Sequence, residues 1–189
     1  LFLSRLVLNV FFFSFSLIEP DRNRSYFQFL SIAYLSKQKG ISVLISACKV
    51  LIDRNFNNFR LLIVGDGEEM NNLKQQVKNE RLDQNIHFLG YLDSYGVREQ
   101  IQACDCLVHP SFKETFGIVV AEAMACGKPV IATRNGGSDF IIKTPSDGIL
   151  INAGDAQELA NAMYRVAVGN FNFNPVQVRN SIINRFGEK

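Results

Sequence analysis

The chain has 189 residues, enough for one domain with a sizeable core, and its 47% hydrophobic and 20% charged residues are those of an ordinary globular α/β protein. A net charge of +2, with no Lys/Arg cluster or basic helix, gives no basis for nucleic-acid binding. The cysteines (Cys48, Cys104, Cys106, Cys126) show neither C-x-x-C spacing nor a set of His partners, so reduced, buried thiols and a cytosolic compartment are expected.

Leu1 to Ile18 is apolar apart from Ser4, Arg5, Asn9, Ser14 and Ser16. The run after Arg5 is about thirteen residues, short of the roughly twenty that a membrane-spanning helix needs. Arg5 before an apolar run has the form of a signal peptide, but no small-x-small cleavage site follows, and Glu19-Pro20-Asp21 closes the run. With no initiator Met, residues 1–24 are read as the remnant of a fragment, a membrane anchor being the alternative.

From there strands and helices alternate. Residues 27–35 form an apolar run fit for a buried strand, and in residues 40–54 the positions Ile41, Leu44, Ile45, Cys48, Leu51 and Ile52 make a helical stripe. A second strand over 60–64 is closed by Gly65-Asp66-Gly67, and a polar helix is expected over 68–81. Then come a strand at 86–89, a helix at 94–103 and a strand at 105–109. A small-residue helix beginning near Phe116 is followed by a strand at Pro129-Val130-Ile131-Ala132, a turn of helix at 139–142 and a strand around Ile149. The helix over 155–168 has Asp155 as its N-cap. Residues 169–175 are a loop before a final helix. Strands separated by helices of these lengths imply a parallel sheet with right-handed crossovers.

Residues 109–137 read H-P-S-F-K-E-T-F-G-I-V-V-A-E-A-M-A-C-G-K-P-V-I-A-T-R-N-G-G. Two carboxylates, Glu114 and Glu122, stand eight positions apart around the start of the small-residue helix. Both can then face one crevice at the C-terminal end of the preceding strand, where open α/β sheets bind ligands. Carboxylates there accept hydrogen bonds from sugar hydroxyls. The backbone N–H groups of Gly117, Ile118 and Val119 fall in the first turn, without intrahelical acceptors, and form a natural seat for phosphate. Ala121, Ala123 and Ala125 keep the helix slim against the sheet. Taken alone, such a Glu pair reads as a helix-start carboxylate and a solvated helix residue; the His-Pro-Ser lead-in and the Gly-Lys-Pro-Val tail favour the site.

This segment resembles the E-x7-E signature of the retaining GT-B glycosyltransferases of family four, in their C-terminal, nucleotide-sugar-binding domain. The resemblance runs from about Phe27 to about Ala167. It includes Lys39-Gly40, Leu61-Leu62-Ile63-Val64-Gly65-Asp66-Gly67, Ile86-His87-Phe88-Leu89-Gly90, Asp105-Cys106-Leu107-Val108-His109-Pro110-Ser111 and Gly148-Ile149-Leu150-Ile151. Each piece alone is weak, and the ordered series is strong. It implies a Rossmann-like parallel sheet flanked by helices, the C-terminal half of a GT-B fold. Residues 25–170 would be the nucleotide-sugar-binding domain, and 171–189 a loop and a truncated C-terminal helix.

By the same resemblance Lys39 binds the donor diphosphate, Glu114 the hydroxyls of the donor hexose and Glu122 those of the ribose, Glu114 and Lys39 being the catalytic pair. Gly65 and Gly67 would make a tight turn lining the nucleotide pocket. They do not form a dinucleotide fingerprint, because Met70 stands where the third glycine belongs. Leu89-Gly90-Tyr91 would be the loop beside the base, and the Gly136-Gly137 pair would let backbone approach the ligand or simply form a turn. His109 either orients Ser111 or packs, and His87 is structural. The chain departs from the pattern at Ala33-Tyr34-Leu35, where many relatives read Gly-Arg-Leu: Tyr34 donates one hydrogen bond but brings no charge.

The implied function is transfer of a hexosyl unit, with retention of configuration, from a nucleotide-diphosphate sugar such as a UDP- or GDP-hexose. No cofactor or metal is expected. The acceptor, a glycan or lipid-linked saccharide of envelope or polysaccharide synthesis, would be bound mainly by an N-terminal domain that this chain does not contain. The expected location is cytoplasmic, with the inner face of the plasma membrane and peripheral membrane association as options. A non-catalytic nucleotide-sugar-binding module or inactive truncated fragment is the alternative. A GT-B-like sugar-nucleotide epimerase is disfavoured by the E-T-F-G-I-V-V-A-E string.

Overall fold

The computed structural model describes residues 24–186, so the apolar run of Leu1 to Ile18 lies outside the described residues. The order is β1 (Phe27–Ile32), a 3-10 turn (Lys37–Lys39), α1 (Ile41–Asp53), β2 (Phe59–Val64), α2 (Met70–Asn79), β3 (Ile86–Gly90), α3 (Ser94–Ala103) and β4 (Cys106–His109). It continues with α4 (Ile118–Ala125), β5 (Val130–Thr133), α5 (Gly137–Ile141), β6 (Ile149–Ile151), α6 (Ala156–Ala167) and α7 (Pro175–Phe186). The strands form one parallel sheet in the order β3-β2-β1-β4-β5-β6. This is the Rossmann-like architecture expected from the alternation of elements.

The strands read as continuous apolar runs because both faces of the sheet are covered, yet their side chains still alternate between two cores. Phe29, Leu61, Ile63, Cys106, Val108 and Ile131 join α1, α2 and α6 on one face. Leu30, Val64, Leu107, Val130 and Ala132 join α3, α4 and α7 on the other. Six of the eight residues of α4 are buried, Val120 to Ala125, so this helix is apolar nearly all round and lies close to the sheet. All four cysteines are buried thiols outside any disulfide, and burial pushes those of Cys104 and Cys126 up to about 12. No helix among the described residues is long and apolar enough to cross a membrane.

Element ends follow local chemistry. Asp155 caps α6 by accepting the Glu158 N–H at 2.8 Å, and Asp93 caps α3 through the Gly96 N–H at 2.9 Å. α4 begins at Ile118, two residues later than expected, because Gly117 has φ 83° and cannot be helical. β1 stops at Ile32 instead of reaching Leu35. Its continuation crosses the Gly65–Gly67 turn, with Leu35 N–H donating to Asp66 O at 2.9 Å and Glu69 N–H to Leu35 O at 3.0 Å.

That crossing dictates Gly65. A Cβ there would lie 1.8 Å from the Ala33 carbonyl oxygen, and φ is +128°. Gly65→Ala must push the β1–α1 loop off the β2–α2 turn. We expect a loss of at least about 3 kcal/mol and a thermal midpoint lower by about 10 °C, read by calorimetric unfolding.

Candidate functional site

In this strand order the chain leaves β1 towards β2 on one side and β4 towards β5 on the other, which opens a crevice beyond the C-terminal ends of β1 and β4. The loops after these two strands meet there. Phe112 N–H donates to Gln38 O at 2.9 Å, and Ser111 Oγ donates to Gln38 O at 3.3 Å and to Lys113 O at 2.9 Å. Gly40 is pressed against Pro110, where a Cβ would lie 2.2 Å from the carbonyl oxygen. This docking puts Lys39 Nζ 2.6 Å from Glu114 Oε2.

His109 Nε2 lies 3.3 Å from the same oxygen, and Thr115 N–H donates to Oε1 at 3.2 Å. His109, and then Lys39, hold the Glu114 carboxylate down at about 2 against the opposing effect of burial. His109 therefore neither orients Ser111, whose hydroxyl is turned to Gln38 and Lys113, nor serves as inert packing.

A second set of contacts holds the signature loop from the β5 side. Glu114 and Gly136 form an isolated bridge, with Gly137 N–H donating to Glu114 O at 3.1 Å. The Thr133 hydroxyl donates to Ser111 O, Asn135 Nδ2 donates to the same oxygen at 3.2 Å, and Asp139 Oδ2 accepts from the N–H groups of Asn135 and Gly136 at 2.8 and 2.9 Å. The close approach at Gly137 is thus to the signature loop itself: a Cβ would lie 2.7 Å from the Phe116 carbonyl carbon. The sequence reading missed Asn135 and Asp139; their signal was an Asx residue and an acidic residue flanking a Gly-Gly turn, a helix-start pattern.

At the start of α4 the N–H groups of Gly117, Ile118 and Val119 have no acceptor among the described residues, while Val120 and Ala121 donate back to Gly117 O. Glu122, one turn further on, is 7% exposed, so it is not a solvated helix residue. No ion-pair or hydrogen-bond partner meets it among the described residues, and burial pushes its carboxyl up to about 7.

A cavity of about 850 Å³ opens beyond β1, β2 and β3, with Tyr34, Gly65, Asp66, Gly67, Tyr91 and Leu92 in its wall. Tyr34, Gly65 and Gly67 therefore share one wall. Lys39, Glu114, Glu122 and residues 117–119 lie outside this wall, and the loop between β1 and α1 connects the two places, carrying Tyr34 at one and Lys39 at the other. Leu89 is not in the wall. Val64 pairs with Gly90 where Ile63 pairs with Phe88, so Leu89 is the extra residue of a β-bulge, and of the Leu89-Gly90-Tyr91 loop it is Tyr91, followed by Leu92, that reaches the wall. Among the described residues no three His, Cys, Asp or Glu side chains gather as a metal site.

Glu122 gives a prediction with a definite sign. Its carboxyl titrates near 4.5 in the unfolded chain and near 7 when folded, so the folded state alone keeps the proton between these values. Stability from this group is full below about 4.5, falls as pH rises to about 7 and is level above. Relative to wild type, Glu122→Gln should gain stability across that window, reaching on the order of 3 kcal/mol at about pH 8 in urea unfolding.

A family model described as glycosyl transferases group 1 matches residues 17–170. N-acetyl-alpha-D-glucosaminyl L-malate synthase of Bacillus anthracis is 41% identical over 102 residues, 54% of this chain and 26% of that protein. UDP-Gal:alpha-D-GlcNAc-diphosphoundecaprenol alpha-1,3-galactosyltransferase of Escherichia coli is 31% identical over 166 residues, 86% of this chain and 42% of that protein. Anabaena HepE, solved in complex with UDP-glucose, is similar in structure with a TM-score of 0.75 and 30% identity, over 86% of this chain and 45% of that one. In fold alone, the C-terminal domain of a glycosyl transferase group 1 family protein (LpcC) from Francisella tularensis matches with a TM-score of 0.74 and 23% identity, over 92% of this chain and 97% of that one. The chain thus spans well under half the length of these curated relatives. With the family model covering most of its length and the signature loop seated at the switch point of the sheet, this chain belongs to the glycosyl transferases group 1 family.

Proposed function

We propose that this chain is the donor-binding part of a retaining hexosyltransferase of family four, taking a nucleoside-diphosphate sugar, with a UDP-hexose as the first choice. The observation that carries this reading is the Lys39–Glu114 pair, 2.6 Å apart at the meeting point of two loops, beside a helix start with three free N–H groups. The likeness to HepE, which binds UDP-glucose, supports the nucleotide.

The chemistry follows from the leaving group. As the bond from the anomeric carbon to the β-phosphate oxygen breaks, negative charge grows on that phosphate. The Lys39 ammonium and the N–H groups of Gly117, Ile118 and Val119 stabilise it without reorganising. Glu114 accepts hydrogen bonds from hexose hydroxyls, and Glu122 holds the ribose hydroxyls. The exposed rings of Tyr34 and Tyr91 flank the nucleoside. The acceptor hydroxyl attacks from the face the phosphate leaves, and its proton passes to the departing phosphate oxygen, which gives retention. The acceptor is a glycan or lipid-linked saccharide held mainly by chain outside these residues. Neither a metal nor a cofactor takes part, and the reaction runs on the cytoplasmic side.

One observation favours the second reading, a nucleotide-sugar-binding module without transfer activity: Tyr34 places a neutral phenol where the resemblance expects a guanidinium. Calorimetric titration of the chain with UDP, GDP and their sugar conjugates tests the donor site. One nucleotide should bind in the micromolar range, and Lys39→Ala or Glu122→Ala should weaken it by at least about tenfold, about 1.4 kcal/mol. A folded chain that binds none of them refutes the reading. Tyr34→Arg should tighten the nucleotide diphosphate by about three- to tenfold, since a charged donor contributes more than a phenol; an unchanged affinity would remove the argument for the inactive module.

A further inference from the structure

His109 is the one part of the cluster at Glu114 that the proposed reaction leaves without a task. It ends β4 with 3% of its surface exposed, and among the described residues Nε2 makes no hydrogen bond and only faces the Glu114 carboxylate, 3.3 Å away. The groups around it are few. In register on β5 is Ala132, which carries no charge; the signature loop contributes Glu114 and an outward, exposed Lys113; the 3-10 turn contributes Lys39, which reaches the same carboxylate oxygen.

One oxygen, Glu114 Oε2, thus faces two nitrogens, Lys39 at 2.6 Å and His109 at 3.3 Å. Lys39 cannot serve a diphosphate and keep a close ion pair with Glu114 at full strength. When Nζ turns to a phosphate oxygen, Glu114 keeps only the Thr115 N–H on its other oxygen. The Glu114 side chain is 18% exposed, and a carboxylate stripped of its cation in such a place is strongly disfavoured. A proton on the imidazole removes the problem, because an imidazolium N–H donates a charge-assisted hydrogen bond to Oε2.

We propose that His109 is a positioning residue that takes over the Glu114 carboxylate when the donor diphosphate draws Lys39 away, and that it does so by taking up one proton from solvent. Donor binding and proton uptake are then linked: the chain binds its nucleotide sugar more tightly as pH falls through neutrality, and Glu114 stays fixed for the hexose hydroxyls. The inference rests on the reading that Lys39 serves the diphosphate.

The experiment is calorimetric titration with UDP-glucose, whose diphosphate has no group titrating near neutrality, at about pH 7.5 in buffers of different ionisation enthalpy. The dependence of the observed heat on buffer gives the protons exchanged. Glu122 of the same site is lifted to about 7 and adds its own exchange to both proteins, so the difference between them reads His109: His109→Gln, which keeps a hydrogen-bond donor without the charge, should take up about one proton fewer than wild type while binding about tenfold more weakly at about pH 6.5. Proton exchange that is the same in wild type and His109→Gln overturns the inference and leaves the donor site standing. Absence of binding overturns both. A second measurement is independent of ligand: in Lys39→Met the carboxylate has lost its lysine already, so the His109 ring nitrogen signals at about pH 7.5 should move from those of a neutral imidazole in wild type towards those of an imidazolium. Unchanged signals overturn the handover.

Discussion

The contact on which the site depends is the docking of the loop after β1 onto the loop after β4. In the parallel order found here these strands are neighbours, yet their connections depart in opposite directions, so nothing in the sheet itself brings their loops together. The Gln38 carbonyl does, by accepting from Phe112 N–H and the Ser111 hydroxyl, and Gly40 permits it by lying flat on Pro110. Lys39 sits between these two anchors, so its ammonium has little choice but to meet Glu114. Each partner is about a fifth exposed, at 24% and 18%, enough to lower the cost of holding the charges and too little for water to dissolve the pair.

The same logic of short anchors holds the other side. Asp139 ties down the two N–H groups that open α5, Asn135 reaches Ser111, and the Glu114–Gly136 bridge extends the parallel pairing of the sheet by one residue beyond its strands. The signature loop is therefore clamped between the continuation of β1 and the continuation of β5. At its far end Phe116 packs against Phe140 of α5 and Phe186 at the end of α7, with ring centroids 5.8 and 5.6 Å away. A loop fixed at so many points presents its carboxylate and its helix start with little left to order on binding, the condition under which electrostatic groups act most strongly.

Much of this was legible in the residues. The alternation of apolar runs and helical stripes gave the elements within a few residues, because burial on both faces leaves a period that survives in the sequence. Asp155 was readable as a cap, since its side chain acts within one turn. What escaped was everything that depends on register or on contacts across the chain. Which residue of the Leu89-Gly90-Tyr91 loop reaches the cavity could not be read, because one bulge residue at Leu89 shifts every following side chain and leaves Tyr91 in the wall. Gly137 read as either a close approach to ligand or a plain turn, and its missing Cβ makes room for the backbone of Phe116. His109 read as evenly balanced between two local roles, while its partner stands five positions on, around a turn whose path no periodicity encodes.

The two signature carboxylates illustrate how one motif yields two different groups. Glu114 and Glu122 are eight residues apart and chemically identical, yet one is held down at about 2 and the other lifted to about 7. The cause is position. Glu114 lies on the loop, where an imidazole and an ammonium from other elements reach it. Glu122 lies a turn into a helix whose alanines let it approach the sheet, so it gains burial and no cation. Near neutral pH the first is an anion and the second is divided between acid and carboxylate. For the donor proposed above that division is useful: the anion would accept from hydroxyls beside a cation that offsets its charge, while a half-protonated carboxyl would both accept and donate without repelling a diphosphate nearby. The small residues of α4 thus have a second consequence besides packing, because the closeness they allow is what keeps Glu122 from carrying a full charge.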